Sequence, residues 1–581
     1  MRISDWIPAL SWLPRYQRAQ LLPDLTAGVT VGVMLIPQGM AYALIAGLPA
    51  IYGLYAATIP LLIYAVLGTS RQLAVGPAAL VALLTASGVG TLAEAGTETY
   101  IAVAIGLAFL VGLIQLLMGL LRLGFIANFL SAPVLTGFTS AAALIIGLSQ
   151  LKHLLGIDLP RSQYVHEILI SAAKGIQGIH WLSLAIGIGG MLVIKGVKRI
   201  HRLIPGALIA VILGIVLVWL FGWENAGVQT VGTVPEGLPA WKVPDWGNLP
   251  WQEMVPIALA IGLISFIESI AIAKAMHQKH RNYELRPNQE LIAMGLSKIG
   301  GAFFQAFPTT GGLSRTAVND QSGAKSGLAS LISAGVVIIT LLFLTPWFSS
   351  LPKPILASII MLAVWGLLDL QKIRSFWRID RMDFWLAVVS FLGTLAFGIQ
   401  LGIGLGVLLS LAMVIFRSSR PHFAVLGKVP NSHHYRNIER FSQLEDRADL
   451  LIFRFDGPLY FANVAFFKEN LELGAEQKGA SLQAIILNAE SINRLDSSGL
   501  QTLEEVSVLY GKRGIRIFFA GFIGPVRDVM TQSRLFAQMS SGIYFMGIQE
   551  AVDFWDADDQ TQVPRPFREY VTQHNSEPES F

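Results

Sequence analysis

Two short stretches interrupt the long apolar part of the sequence, and their residues could hold an anion. They read AVGPAAL at residues 74–80 and FPTTGGLSR at residues 307–315. Proline suits the first turn of a helix and glycine allows close approach of the backbone, so each stretch predicts a helix that begins inside the bilayer. Such a half-helix presents unpaired N–H groups and the positive end of its dipole, which favour a bound anion. An ordinary tilted span is the alternative for the first stretch.

The second stretch joins hydroxyl groups to a charged side chain. Thr309, Thr310 and Ser314 supply O–H donors, and Arg315 supplies a guanidinium, a set suited to an oxyanion. A charge at the bilayer centre costs about 2.5 to 3.5 kcal/mol on insertion scales, so it is seldom placed there without a function or a partner. We predict that Arg315 binds the anion. A structural Arg315, paired with a carboxylate or with helix carbonyls, is the alternative.

Glu268 is the one acidic residue inside the eighth predicted span. Its protonation would compensate for the charge of an entering anion, which makes it the natural coupling residue. A sodium site is the competing hypothesis, but a hard cation needs several oxygen ligands, and Ile264 and Ile272 stand one turn away. We therefore favour proton coupling, with a purely structural ion pair between Glu268 and Arg315 as the alternative.

The first predicted span has a proline in its middle and two polar residues after it. Pro37 frees a backbone carbonyl, and Gln38 and Tyr42 lie one helical turn apart on one face. These two side chains could line a polar cavity. A kink used only for packing, with Gln38 bonded to a neighbouring helix, would also explain the pattern.

The composition places the chain among polytopic membrane proteins. Hydrophobic residues make up 53% and charged residues 14% of 581 residues, whereas about a quarter of residues are charged in soluble proteins. The net charge of +4 comes largely from short loops, so we expect no nucleic-acid partner. The sequence has no cysteine, no metal-binding histidine pattern and no nucleophile set. It therefore predicts no metal site, no cofactor and no enzyme.

Apolar stretches within residues 25–420, the predicted transport domain, indicate about fourteen membrane segments. The loops at 195–202, 274–286 and 372–381 are rich in Lys and Arg, and the alternate connections are acidic or rich in Trp and Pro. Both termini, including the N-terminal segment 1–24, are therefore predicted to be cytoplasmic in an inner or plasma membrane. The interrupted stretches fall third and tenth, which predicts an α-helical fold of two inverted seven-segment repeats with two half-helices.

A small soluble part follows the membrane segments. Residues 421–439 are interpreted as a linker, 440–555 as a cytoplasmic α/β domain and 556–581 as a disordered tail. The alternation of apolar residues predicts strands at 450–455, 483–488 and 515–520, and helices at 464–477 and 500–512.

Asp496, Ser497 and Ser498 form a typical N-cap sequence at the start of the last of these helices. Capping alone would explain the three residues. The functional alternative is a regulatory site, at which a serine is phosphorylated or an anion binds.

Together these features resemble the SulP sulfate permease family, which includes solute carrier family 26 in animals. The sequences that carry the resemblance are IPQGMAY at 36–42, GLP at 47–49, IYGLY at 51–55, LGTSR at 67–71, VGP at 75–77, FIESIA at 266–271 and TGGLSR at 310–315. The soluble part resembles a STAS domain, because LDSSGL at 495–500 is similar to the motif of anti-sigma-factor antagonists. The two resemblances cover nearly the whole chain.

The resemblance implies a homodimer in which a core domain moves against a gate domain, with the anion between the third and tenth segments. By the same resemblance, the substrate-binding residues are Gln38, Tyr42, Ala78, Ser314 and Arg315. Ala78 would contribute mainly its backbone N–H, and Glu268 resembles the acidic position linked to proton coupling. Family members differ in substrate, among sulfate, bicarbonate, dicarboxylates and halides.

We predict a secondary active transporter for an inorganic anion, with sulfate uptake by proton symport as the first hypothesis. The alternatives are a sodium-coupled bicarbonate transporter, a proton-coupled dicarboxylate transporter, and an uncoupled anion channel or anion-sensing scaffold. The predicted partners are the small anion, a proton or sodium ion, membrane lipid, a second copy of the chain and a cytoplasmic partner of the STAS domain.

Overall fold

The apolar runs of the first part of the chain fold into helices, which satisfy their backbone hydrogen bonds internally as a lipid environment requires. Contacts separate two compact units, residues 1–411 and 412–581. The tail predicted at 556–581 lies outside the described residues from residue 558 onward. The computed structural model describes residues 6–128, 131–159, 162, 164–200, 205–243, 247, 249–531 and 544–557.

In chain order, the helices up to the end of the membrane part are α1 (Ala9–Trp12), α2 (Leu21–Ile45), α3 (Ile51–Tyr55), α4 (Ile59–Leu67), α5 (Ala79–Val89), α6 (Glu98–Leu120), α7 (Ala132–Ser149), α8 (Leu151–Leu155), α9 (Val165–Lys174), α10 (Trp181–Ile200), α11 (Gly206–Phe221), α12 (Trp251–His280), α13 (Pro287–Phe303), α14 (Leu313–Gln321), α15 (Leu328–Phe343), α16 (Lys353–Trp365), α17 (Leu370–Ile379), α18 (Arg381–Phe397) and α19 (Ile399–Ser419).

Two of the membrane segments are much shorter than a full span. When α3 and α4 count as one segment and the short α1, α8, α9 and α17 are set aside, the described chain has fourteen segments. The third, α5, has 11 residues and the tenth, α14, has 9, against about 20 for a full span. By length and composition alone, five helical stretches of the described chain could cross a membrane, among them Trp251–His280.

A two-residue strand precedes each short helix, and the two strands pair with each other. They are β1 (Val75–Gly76) and β2 (Thr310–Gly311), which run antiparallel with Val75 opposite Gly311. Antiparallel pairing is the relation that a two-fold axis in the membrane plane would impose on equivalent segments. The pairing brings the N-terminal ends of α5 and α14 together.

Glycines allow the surrounding helices to approach until their backbones touch. A Cβ atom on Gly53 of α3 would lie 1.9 Å from the carbonyl oxygen of Gly39 in α2. Likewise, a Cβ atom on Gly112 of α6 would lie 2.7 Å from the carbonyl oxygen of Gly295 in α13. Small residues at such contacts let membrane helices gain van der Waals energy where lipid removes the hydrophobic driving force. The α2 helix held in this way packs against both α5 and α14.

A buried carboxylate fixes the loop that leads from α4 to β1. Glu290 of α13 accepts hydrogen bonds from the N–H and Oγ1 of Thr69, both at 2.6 Å, and from the N–H of Ser70 at 3.2 Å. The hydroxyl of Tyr64 donates a fourth bond at 2.7 Å. Because a buried charge with this many donors is fully satisfied, Glu290 anchors the chain immediately before the interrupted segment.

The second unit is an α/β domain built on a six-stranded sheet. Its strands are β3 (His422–Lys428), β4 (Tyr435–Asn437), β5 (Leu450–Asp456), β6 (Ala484–Asn488), β7 (Arg516–Ala520) and β8 (Tyr544–Phe545), in the order β4-β3-β5-β6-β7-β8. From β5 to β8 neighbouring strands are parallel, and β3 is antiparallel to β4 and β5. The helices of this sheet domain are α20 (Val464–Lys478), α21 (Ser497–Lys512), α22 (Gly524–Thr531) and α23 (Ile548–Asp556).

The segment 421–439, which the sequence suggests is a linker, contains β3 and β4. These strands gain their hydrogen bonds by pairing: β4 pairs with β3, and β3 pairs with β5. The helix predicted at 500–512 begins earlier, at Ser497, because Asp496 caps it.

Candidate anion-binding site

The ends of α5 and α14 are tied together on both sides of the strand pair. The N–H of Gly312 donates to the carbonyl oxygen of Ala74 at 3.0 Å, and the N–H of Ala74 donates to Thr316 Oγ1 at 3.1 Å. Further along α14, the amide of Asn319 donates to the carbonyl oxygen of Gln72 at 2.9 Å. The first N–H groups of each helix have no acceptor within that helix. Two positive dipole ends therefore converge on one place.

Arg315 lies across this junction. Its side chain is 2% exposed, and Nη1 donates to the carbonyl oxygen of Pro77 at 2.6 Å. A Cβ atom on Gly312 would lie 2.6 Å from Cζ of Arg315, so only glycine leaves room for the guanidinium there. Nε and Nη2 have no hydrogen-bond partner among the described residues. Two charged donors thus remain for a ligand, while the third joins the two interrupted segments.

Two further polar side chains predicted from the sequence lie near Arg315. Tyr42 and Glu268 both lie within electrostatic reach of the guanidinium. In the described part of the chain no carboxylate comes within 4.0 Å of Arg315, so the structure has no Glu268–Arg315 ion pair. Oε2 of Glu268 and Oε1 of Gln38 are buried and have no hydrogen-bond partner in the described part of the chain. Gln38 and Tyr42 are both buried residues of α2, the helix that packs against α14.

Ala78 and Ser314 lie at the N-terminal ends of the two half-helices. Ala78 is the N-cap residue of α5, with extended backbone angles of φ −140° and ψ 149°, and it is buried. Ser314 is the second residue of α14, and its side chain is exposed. Ala78 can offer only backbone groups, whereas the Ser314 hydroxyl is accessible to an incoming solute.

Two serines of α12 hold β2, and the sequence analysis did not assign them this role. Ser269 Oγ accepts from the N–H of Gly311 at 2.8 Å and is 2.9 Å from Thr310 Oγ1. Thr310 Oγ1 donates to the carbonyl oxygen of Ser265 at 2.9 Å. A signal was present, because Ser265 and Ser269 lie one turn apart beside Glu268. Their partner on β2 could not be read from the local sequence.

Asp496 caps α21 in the second unit. Its Oδ1 accepts from the N–H of Gly499 at 2.7 Å, and its Oδ2 accepts from the N–H of Phe461 at 3.0 Å. The side chain of Ser497 is exposed and that of Ser498 is half-buried. Across the described residues no three His, Asp or Glu side chains are grouped to hold a metal ion.

Two interrupted helices whose N-terminal ends meet inside a helical membrane domain define a class of carriers built from inverted repeats. The sequence pattern of the sulfate permease family matches residues 21–390, and that of the STAS domain matches residues 442–551. The chain therefore belongs to the sulfate permease family.

Similar proteins agree with this assignment. Sulfate transporter 4.1, chloroplastic, of Arabidopsis thaliana is 37% identical over 574 residues, which cover 95% of this chain and 83% of that protein. A probable sulfate transporter of Mycobacterium tuberculosis is 32% identical over 552 residues, which cover 95% of this chain and 98% of that protein. The structure of murine solute carrier 26 family member A9, an anion transporter in the inward-facing state, matches with a TM-score of 0.87 at 28% identity, covering 95% of this chain and 94% of that chain.

The transmembrane domain of a cyanobacterial bicarbonate transporter, BicA, shares the fold. Its TM-score is 0.59 at 22% identity, and the match covers 68% of this chain and 98% of that chain. The predicted family and fold class are confirmed by these comparisons. The chain is a multi-pass membrane protein of an anion transporter family with a C-terminal STAS domain, and this family consists of transporters, not enzymes.

Proposed function

We propose that this protein is a secondary active transporter that takes up sulfate by proton symport. The observation that carries the proposal is the pair of buried donors on Arg315, Nε and Nη2, which have no partner among the described residues and lie where two half-helices begin. A guanidinium fork matches the oxygens of an oxyanion, and helix N-termini add N–H donors. The names of the Arabidopsis and Mycobacterium relatives support sulfate as the substrate.

In this proposal the anion contacts both half-helices and α2 at once. Arg315 supplies the charge, and Ser314 and Tyr42 supply hydroxyl donors. The amide of Gln38 supplies an N–H donor, and Ala78 contributes its backbone N–H. Because these groups belong to different segments, a bound anion would favour the conformation in which they converge.

Glu268 provides the coupling in the same proposal. One oxygen of its carboxylate is buried and has no partner among the residues that the structure describes. Glu268 belongs to α12, whose serines hold β2. A negative Glu268 would repel an arriving dianion, and protonation removes that repulsion. Sodium is less suited, since the hydroxyls of Ser265 and Ser269 are already bonded to Gln115, Thr310 and Gly311. A hard cation would lack the oxygen ligands it needs.

Uptake of labelled sulfate into proteoliposomes tests both parts of the proposal. With an inward proton gradient we expect sulfate to accumulate above equilibrium. Glu268→Gln should abolish this accumulation. The control Glu94→Gln, at an exposed position, should leave it intact. An anion conductance that does not depend on the proton gradient would indicate an anion channel instead. The same uptake is measured with unlabelled competitors, with and without sodium. If bicarbonate or succinate inhibits the uptake of labelled sulfate more strongly than unlabelled sulfate does, the substrate is a different anion.

We also propose a homodimer in an inner or plasma membrane, with both termini cytoplasmic. The Lys and Arg content of the loops around 195–202, 274–286 and 372–381 supports this orientation. Because the sequence has no cysteine, single cysteines placed in these loops can be labelled from one side at a time. Labelling from the outside would contradict the orientation, and a monomer in native mass spectrometry would contradict the dimer.

A third part of the proposal makes Asp496, Ser497 and Ser498 a regulatory site for a cytoplasmic partner. Ser497 is exposed at the capped start of α21, where an added phosphate would meet the positive end of the helix dipole. We expect Ser497→Asp to change the transport rate and leave the ranking of anions unaltered. A changed ranking would contradict a regulatory role.

A further inference from the structure

Lys298 of α13 is a buried cation that the proposed mechanism does not use. It is 1% exposed, and its ammonium donates one described hydrogen bond, to Gln115 Oε1 at 2.8 Å. No carboxylate lies within 4.0 Å of it in the described part of the chain. Glu290, on the same helix, is already occupied by the donors of the loop before β1. A buried charge without a counter-ion is costly, so its position calls for a function.

A chain of hydrogen bonds connects Lys298 to the anion site. An ammonium can only donate, so it holds the amide oxygen of Gln115 toward itself and turns the NH₂ group toward α12. There Nε2 of Gln115 donates to the carbonyl oxygen of Gly262 at 2.8 Å and to Ser265 Oγ at 2.9 Å. The carbonyl oxygen of Ser265 accepts from Thr310 of β2 at 2.9 Å. Lys298 is therefore connected through Gln115 and α12 to β2, the strand that leads into the helix of Arg315.

The charges of this cluster match a dianion. When Glu268 and Lys298 are both protonated, Arg315 and Lys298 contribute two positive charges, which a doubly charged oxyanion neutralises. A singly charged anion would leave one positive charge uncompensated in a medium of low polarity, where net charge is unfavourable. Without the charge of Lys298, the same site would balance a monovalent anion instead.

We propose that Lys298 is a specificity-determining residue that makes this carrier prefer divalent over monovalent oxyanions. The inference rests on the proposed function, because it assumes an anion at Arg315 and a protonated Glu268. Lys298 does not touch the anion. It acts through its charge, and through Gln115 it also positions α12 and β2.

Three variants separate the charge from the hydrogen bond. Lys298→Gln removes the charge and keeps a donor for Gln115, and Lys298→Arg keeps the charge. Gln115→Glu retains Lys298 but places a neutralising carboxylate beside it. Lys372→Gln, at an exposed position of α17, is the matched control. Each is purified as the full chain in lipid nanodiscs, and the dissociation constants of sulfate, selenate, nitrate and bicarbonate are measured.

We expect Lys298→Gln and Gln115→Glu to lower the ratio of divalent to monovalent affinity by about tenfold, while Lys298→Arg and the control keep it. A folded Lys298→Gln protein with an unchanged ratio would overturn the inference. If Lys298→Gln fails to fold, Gln115→Glu decides. If neither variant folds, the charge of Lys298 is required for folding, and this result also overturns the inference. A wild-type protein that does not bind sulfate would instead refute the proposed function.

Discussion

Replacement of Arg315 is the most direct test of the binding site. Arg315→Ala removes one hydrogen bond to Pro77 and the two donors that have no partner among the described residues. A hydrogen bond to a charged group contributes about 1.5 to 3 kcal/mol, so two such bonds to the anion amount to about 3 to 6 kcal/mol. At about 1.4 kcal/mol per tenfold change, sulfate affinity should fall by roughly 10² to 10⁴. Arg315→Lys keeps the charge without the planar fork, and we expect an intermediate loss.

Sulfate binding to the purified protein, measured by titration calorimetry in nanodiscs, separates affinity from transport rate. The matched control is Arg378→Gln, because Arg378 is an exposed arginine of α17. Thermal unfolding of each variant identifies any loss of fold, since the bond from Arg315 to Pro77 also links the two interrupted segments. A folded Arg315→Ala protein with unchanged sulfate affinity would show that the guanidinium is only structural and would refute the proposed site.

Two further predictions concern packing and the second unit. Gly53→Ala should prevent folding, because the new Cβ would lie 1.9 Å from the Gly39 carbonyl oxygen. The control Gly335→Ala should be neutral, because its Cβ would meet no atom within 4 Å. Size-exclusion profiles of the two purified variants check both expectations. Arg447, through its hydrogen bonds, lowers the pKa of Asp449 to about 2. The folded pKa lies below the unfolded one, so this stabilisation is fully present above about pH 4 and is lost as the pH falls toward 2. Arg447 also donates hydrogen bonds to Asp556 of α23. Arg447→Gln should therefore lower the free energy of opening of α23, measured by hydrogen exchange, by less than about 1 kcal/mol, because the pairs are partly exposed. The loss should be the same at pH 5 and pH 8, and a cost that differs between these pH values would contradict this.

Much of the fold could be predicted because its signals are local. Apolar runs of membrane length, breakers such as Pro77 and Gly312, and alternating residues at 450–455 depend on neighbours along the chain. For the same reason the starts of both half-helices were predicted within a few residues, at Ala79 and Leu313 in the structure. The segment that contains β3 and β4 was interpreted as a linker, because the pairing of β3 with β4 and β5 cannot be read from the local sequence.

The sequence by itself determined which chemical groups enter the membrane, among them Arg315 in a broken span and Glu268 in an unbroken one, with hydroxyls and glycines beside them. Only the tertiary structure decided how they are arranged. The bond from Arg315 to Pro77 spans 238 residues, and the relay from Lys298 through Gln115 joins three helices before it reaches Thr310. Helix formation depends on contacts within a few residues, whereas the direction in which a buried donor points depends on which distant acceptor the packed helices bring to it.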